Sequence, residues 1–149
     1  MIRFLPDTSC IVAALCSWHE HHARAEQELT KRLERGETMI AAAPALVETY
    51  AVLTRLPPPH RLSAADALAL LETNFAGETE VIALDAAAYW SLLQRASADG
   101  IAGGRVYDAV IAACAVQGKA GIILTFNERH FLPFRRPGLE VVAPGAQPP

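Results

Sequence analysis

The chain has 149 residues and a formal net charge of −3, about one domain's worth of globular protein. Leu, Ile, Val and Phe supply about a quarter of it, above the level of roughly one-fifth below which chains stay disordered. The longest apolar run, Ala109–Val116, falls far short of the roughly 20 residues a membrane-spanning helix needs. A membrane protein is therefore excluded, and the acidic balance argues against a generic polybasic nucleic-acid binder while leaving room for a local basic patch.

Ile2–Leu5 reads as a first strand ending at Pro6-Asp7, and Ser9–Cys16 as a short buried helix. Trp18-His19-Glu20-His21-His22 is a polar break. His22–Arg35 follows as an exposed helix, with Ala25, Leu29 and Leu33 four apart on one stripe. Gly36 stops it. Thr38–Ala42 is a second strand, and Pro44 stands where a first helical turn tolerates proline, before the helix Ala45–Arg55. Ser63 is an N-cap candidate for a helix to about Phe75. Glu80–Leu84 is a third strand, Asp85 caps a helix to about Ser97, and Gly103-Gly104 turns into the apolar helix Val106–Gln117. Gly121–Thr125 is a fourth strand, Asn127–Phe131 a turn or short helix, and Leu139–Val142 a fifth strand. Residues 1–143 then form one domain, and Pro144–Pro149 a loose, flexible tail. Alternating strands and helices imply a mostly parallel sheet covered on both faces.

The N-terminus shows no secretory pattern, and Cys10, Cys16 and Cys114 are an odd number without metal spacing. Both point to buried free thiols in a cytoplasmic protein.

In open parallel sheets, chemistry gathers beyond the carboxyl ends of the strands. Asp7 follows the first strand, Glu48 lies one turn inside the helix after the second, Asp108 lies near the start of the apolar helix, and Asn127 follows the fourth strand. Each has a plainer reading: Asp7 as a helix cap, Asp108 as a first-turn acid answering the helix dipole, Glu48 as a solvated helix residue. Together they would converge at one sheet edge. Carboxylates about 5 Å apart repel by roughly 3 kcal/mol at an effective dielectric near 20. Such a cluster either binds a hard divalent cation or shares a proton.

The words PDTSCIVAAL (6–15), PALVETYAVLTRL (44–56), GGRVYDAVIAACA (103–115) and ILTFNERHF (123–131), in this order and spacing, resemble the PIN domain, and within it VapC-type toxins of toxin–antitoxin pairs. The resemblance covers nearly the whole chain. It implies a three-layer α/β/α domain with a five-stranded, mostly parallel sheet, and an endoribonuclease dependent on Mg²⁺ or Mn²⁺ in which a metal-activated water attacks phosphodiester bonds. It places the family's acids on Asp7, Glu48 and Asp108 as metal ligands, one hydroxyl on Thr8 or Ser9, and another on Thr125. Asn127 stands where many members carry Asp, so a water-mediated or substrate contact replaces direct ligation there. The implied partners are an RNA substrate, a small VapB-like antitoxin, and a second copy in a homodimer, with His22–Arg35 and Pro44–Leu56 as candidate contact surfaces.

Ser9, Arg105 and Arg129 are candidate substrate contacts, Arg135 and Arg136 extending the basic rim. Trp18 and Phe126 are candidate base-stacking rings, with core packing the first reading for Phe126. The His19-Glu20-His21-His22 segment lacks His-Glu-x-x-His spacing and reads as a solvated helix start. Two other readings use the same pattern: a catalytically inert PIN-fold module that binds RNA or protein, and a receiver-like domain. The receiver is disfavoured because Pro6-Asp7 supplies one acid where such a site needs two.

Overall fold

The computed structural model describes residues 1–145; residues 146–149 of the expected tail lie outside it. Pro144 is fully buried, and its carbonyl accepts from Arg24 Nη2 at 2.9 Å, so the packed chain runs one residue past the expected domain boundary.

Five strands, β1 (Arg3–Pro6), β2 (Thr38–Ala42), β3 (Glu80–Ile82), β4 (Ile122–Leu124) and β5 (Glu140–Val142), form one sheet in the order β3-β2-β1-β4-β5. Every pairing is parallel. Helices α1 (Thr8–Leu15), α2 (His22–Glu34), α3 (Ala43–Arg55), α4 (Ala64–Phe75), α5 (Ala86–Ala98), α6 (Arg105–Gln117) and α7 (Glu128–Phe131) complete a three-layer α/β/α domain. The expected fold class holds.

Local chemistry explains the boundaries. Ser63 and Asp85 accept backbone N–H bonds from Asp66 and Ala88 and so cap α4 and α5. Pro44 sits in the first turn of α3, which starts two residues earlier than expected. β1 runs one residue later than expected because Pro6 pairs with Leu124. β3, on the sheet edge, keeps only the three residues that pair with Ile40–Ala42. The centre of the sheet is dry: Phe4, Leu5, Ile40, Ile123 and Leu124 are fully buried. Gly118, ending α6, is needed for close packing, since a Cβ there would lie 2.6 Å from Ile40 Cδ1 and 2.9 Å from Ile82 Cγ1. All three cysteines are buried free thiols.

The stripe on α2 is corrected. Ala25 is buried and Leu29 half-buried, but Leu33 is 50% exposed, and Arg32 is the buried residue. Steps of four residues drift around a helix of 3.6 residues per turn, whereas a step of four followed by one of three stays on one face. Arg32 is accommodated by ion pairs with Glu28 and Glu37, both at 2.8 Å, and by the Phe4 ring 5.7 Å beneath its guanidinium.

The chain builds β1, β2 and β3 outward in one direction, then returns to add β4 and β5 on the other side of β1. The topological switch therefore falls between β1 and β4. Crevices at such switch points, beyond the strand carboxyl ends, are where open α/β sheets bind ligands.

Candidate active site

Asp7 leaves β1 at this switch and is both cap and candidate ligand. Its Oδ1 accepts from the Cys10 backbone N–H at 3.0 Å and from the Ser9 hydroxyl at 2.6 Å. Its Oδ2 accepts from the Thr125 hydroxyl at 2.5 Å, across 118 positions of sequence. Three of roughly four carboxylate lone-pair sites are thus used, and one on Oδ2 stays free. Both hydroxyls are held in turn: Ser9 Oγ accepts the Phe126 N–H at 3.0 Å, and Thr125 Oγ1 accepts the Asn127 N–H at 2.9 Å. The β4–α7 loop and the N-terminus of α1 are therefore laced together through the carboxylate of Asp7.

Electrostatics mark the same place. Burial pushes the Asp7 carboxyl above its ordinary value, the Ser9, Thr125 and Cys10 hydrogen bonds oppose that shift, and the charge of Asp108 adds to it. Asp108, in the first turn of α6, is likewise raised by burial and opposed by His130 and Arg105. His130 Nδ1 lies 3.4 Å from Asp108 Oδ2. Two acids raised by burial, one of them also feeling the charge of the other, mark this edge as the candidate site.

Ser9 donates its only hydrogen to Asp7, so no donor is left for a substrate phosphate, and its position is that of a positioning residue. Thr8 does not share that role: its hydroxyl is buried with no hydrogen-bond partner among the described residues. Asn127 brings its backbone N–H to Thr125 while the residue itself is exposed. Arg105 and Arg129 are exposed, Arg105 near enough to Asp108 to act on its carboxyl. Glu48 is half-buried on α3 and makes no ion pair among the described residues. Among those residues, no three His, Cys, Asp or Glu side chains are grouped closely enough to hold a metal ion. The donors nevertheless suit a hard divalent cation in kind: they are carboxylate oxygens, and one lone pair of Asp7 is unused among the described residues. His130, facing Asp108, is a residue whose role the sequence words left open. Spacing gives no signal for it, because the contact forms only when α7 folds back beside α6.

A family model described as PIN domain matches residues 4–137. The chain belongs to the PIN-domain family. Within it, the chain is of the VapC type: it is 38% identical over 136 residues to Ribonuclease VapC40 of Mycobacterium tuberculosis, covering 91% of this chain and 95% of that protein. Ribonuclease VapC27 of the same organism is 33% identical over 136 residues, covering 91% and 93%. Among solved structures, VapBC2 from Rickettsia felis bound to a DNA fragment matches with a TM-score of 0.66 at 19% identity, covering 95% of this chain and 98% of that one. FitAcB from Neisseria gonorrhoeae matches with a TM-score of 0.63 at 21% identity, covering 95% and 97%. Among the described residues, no helix of this PIN domain is long and apolar enough to cross a membrane.

Proposed function

We propose that this PIN domain is a divalent-metal-dependent endoribonuclease, the toxin of a toxin–antitoxin pair, acting in the cytoplasm. The observation that carries the reading is the Asp7–Asp108 pair at the β1/β4 switch, with Asp7 clamped by two hydroxyls. The names of the curated relatives, both ribonucleases, support the same reaction class.

Asp7 and Asp108 are the residues assigned to hold Mg²⁺ or Mn²⁺, with Glu48 as third acid. A bound cation would supply the positive charge that polarises a phosphodiester and lowers the pKa of an attacking water. The protein's own share is positional. Ser9 and Thr125 fix both oxygens of Asp7, so its free lone pair points in one direction without reorganisation. His130 and Arg105 favour the ionised form of Asp108, the form a metal ligand needs. Asn127 and the exposed residues Arg105 and Arg129 are assigned to hold a substrate phosphate.

The partner is a small VapB-like protein, supported by the VapBC and FitAB assemblies among the fold matches. The homodimer is supported by an apolar groove between α3 and α4 beside edge strand β3, where Val47, Tyr50, Leu68 and Val81 are exposed. A monomer by light scattering at all workable concentrations refutes that assembly.

The deciding experiment is cleavage of single-stranded and structured RNA by purified protein, with Mg²⁺ or with chelator. Asp7→Asn and Asp108→Asn are expected to abolish metal-dependent cleavage while melting cooperatively, and Glu48→Ala to reduce it severely. Full activity in either Asn variant removes the assignment. RNA binding without cleavage by the wild type would instead establish the inert module.

A further inference from the structure

Beside the α1–α2 loop lies a run of rings of which only Phe126 packs on an apolar cluster. Some of them also serve local structure: His22 Nδ1 lies 2.9 Å from the Ala13 carbonyl and its Nε2 2.9 Å from Glu26, His19 Nδ1 accepts the His21 backbone N–H at 3.0 Å, and His21 Nε2 lies 3.5 Å from Glu20. The ring faces meet one another. Trp18 stacks on His60 with centroids 4.1 Å apart and planes at 19°. His19 lies 5.8 Å from Trp18 and 5.6 Å from His21, tilted by 41° and 45°. His21 stacks on Phe126 at 4.6 Å and 17°, and the Arg24 guanidinium sits 5.3 Å over the same Phe126 ring.

Three separate segments contribute these rings: the α1–α2 loop, the turn after α3, and the β4–α7 loop. Phe126 packs partly against the core, but Trp18, His19, His21 and His60 belong to no apolar cluster. Trp18 stays 45% exposed despite its stack. The row also has a direction. The Phe126 backbone N–H donates to Ser9 Oγ, and that hydroxyl donates to Asp7, so the residue that carries the last ring is tied to the carboxylate site through its backbone.

We propose that His60, Trp18, His19, His21 and Phe126 form a stacking track for the bases of single-stranded RNA, leading to the Asp7–Asp108 site; the assignment rests on the nuclease reading above. Every base has a π face, so a row of partly open rings with an arginine beside it holds single strands with little sequence preference. The charge balance favours this means of binding. A chain of net charge −3 has no overall excess of cations to attract phosphates, and stacking adds affinity without adding charge. His19, kept below its ordinary pKa by burial and by neighbouring His21, serves as a neutral ring.

The chain has two tryptophans, Trp18 and Trp90, and Trp90 is 68% exposed on α5. Trp90→Phe therefore leaves Trp18 as the only tryptophan reporter, and adding Asp7→Asn keeps RNA whole during titration. A short uridine RNA is expected to quench Trp18, and an abasic ribose–phosphate oligomer of equal length is not. Polarisation of labelled RNA should show Trp18→Ala weakening binding roughly five- to hundredfold, with most of the loss restored by Trp18→Phe. In the active protein the loss should fall on KM. Equal quenching by the abasic oligomer, or undiminished RNA binding by Trp18→Ala, overturns the proposal. So does quenching by a purified partner protein but not by RNA, which would make the row a protein-docking surface. Quenching by RNA without cleavage by the wild type leaves the track standing and refutes the nuclease; cleavage with Trp18 unquenched does the reverse.

Discussion

Thr125→Val keeps the shape of a fully buried side chain and removes one hydroxyl that serves two partners. Asp7 Oδ2 loses a donor at 2.5 Å and the Asn127 N–H loses an acceptor at 2.9 Å. A hydrogen bond to a charged group contributes about 1.5–3 kcal/mol and a neutral one about 1 kcal/mol, so the expected loss is about 2.5–4 kcal/mol. In a chain of this size that lowers Tm by about 5–15 °C. Thr125→Ser keeps both bonds and deletes one methyl group, costing about 1 kcal/mol. The loss must also depend on pH. Burial already raises the Asp7 carboxyl above 3.8, with Thr125 opposing the shift. Removing Thr125 raises it further. A raised acid pKa leaves stability intact below the unfolded value and removes it as pH climbs through the folded one. The deficit of Thr125→Val is therefore largest at the higher pH and shrinks as pH falls and Asp7 takes up its proton, where the lost bond is a weaker, neutral one. Melting curves of the three proteins in chelator decide it. If the Val and Ser variants melt together at the higher pH, or the Val deficit is flat across pH, the clamp on Asp7 is not what the geometry says.

Mg²⁺ at neutral pH should raise Tm, by an amount equivalent to about 2.7 kcal/mol at a hundredfold excess over Kd; Asn127→Asp should lower metal-free stability and enlarge that gain, and equal gains would place Asn127 outside the site. Arg32→Leu removes the charged partner of Glu28 and leaves Glu37 with Arg35 alone, and should cost about 3 kcal/mol by chemical denaturation, whereas Leu33→Lys on the same helix should change stability by under about 0.5 kcal/mol. Gly118→Ala drives a methyl group into Ile40 and Ile82 and should cost about 1–3 kcal/mol; an unchanged denaturation midpoint would show that these two side chains give way freely.

The sequence made some features legible because their causes are local. Ser63, Asp85 and Pro44 announce helix starts through chemistry contained within a few residues, and strands alternating with helices force a parallel sheet. Asp7 and Asp108 were legible as acids after a strand and in a first helical turn, and the family words placed them in one site. What stayed hidden was set by tertiary contact. Arg32 replaces Leu33 on the buried face because Glu28, Glu37 and the Phe4 ring receive it. Ser9 reads as a substrate contact until its one hydrogen is found on Asp7. His60 follows three prolines and carries no motif; only the return of the chain after α3 sets it against Trp18. Glu48 shows the opposite case, a residue singled out by its family word that the structure does not gather into a three-ligand group with the other acids.

The strand order has a consequence for when, during synthesis, the site comes into being. β1, β2 and β3 can pair as they emerge, and Asp7 then has Ser9 and Cys10 beside it. Asp108, His130 and Thr125 all arrive in the last third of the chain, and Thr125 reaches Asp7 only once β4 has docked on the far side of β1. Such long-range closure is slow compared with local helix formation. A chain still lacking β4 therefore has Asp7 without Thr125, and the carboxylate clamp is among the last contacts the topology allows to close.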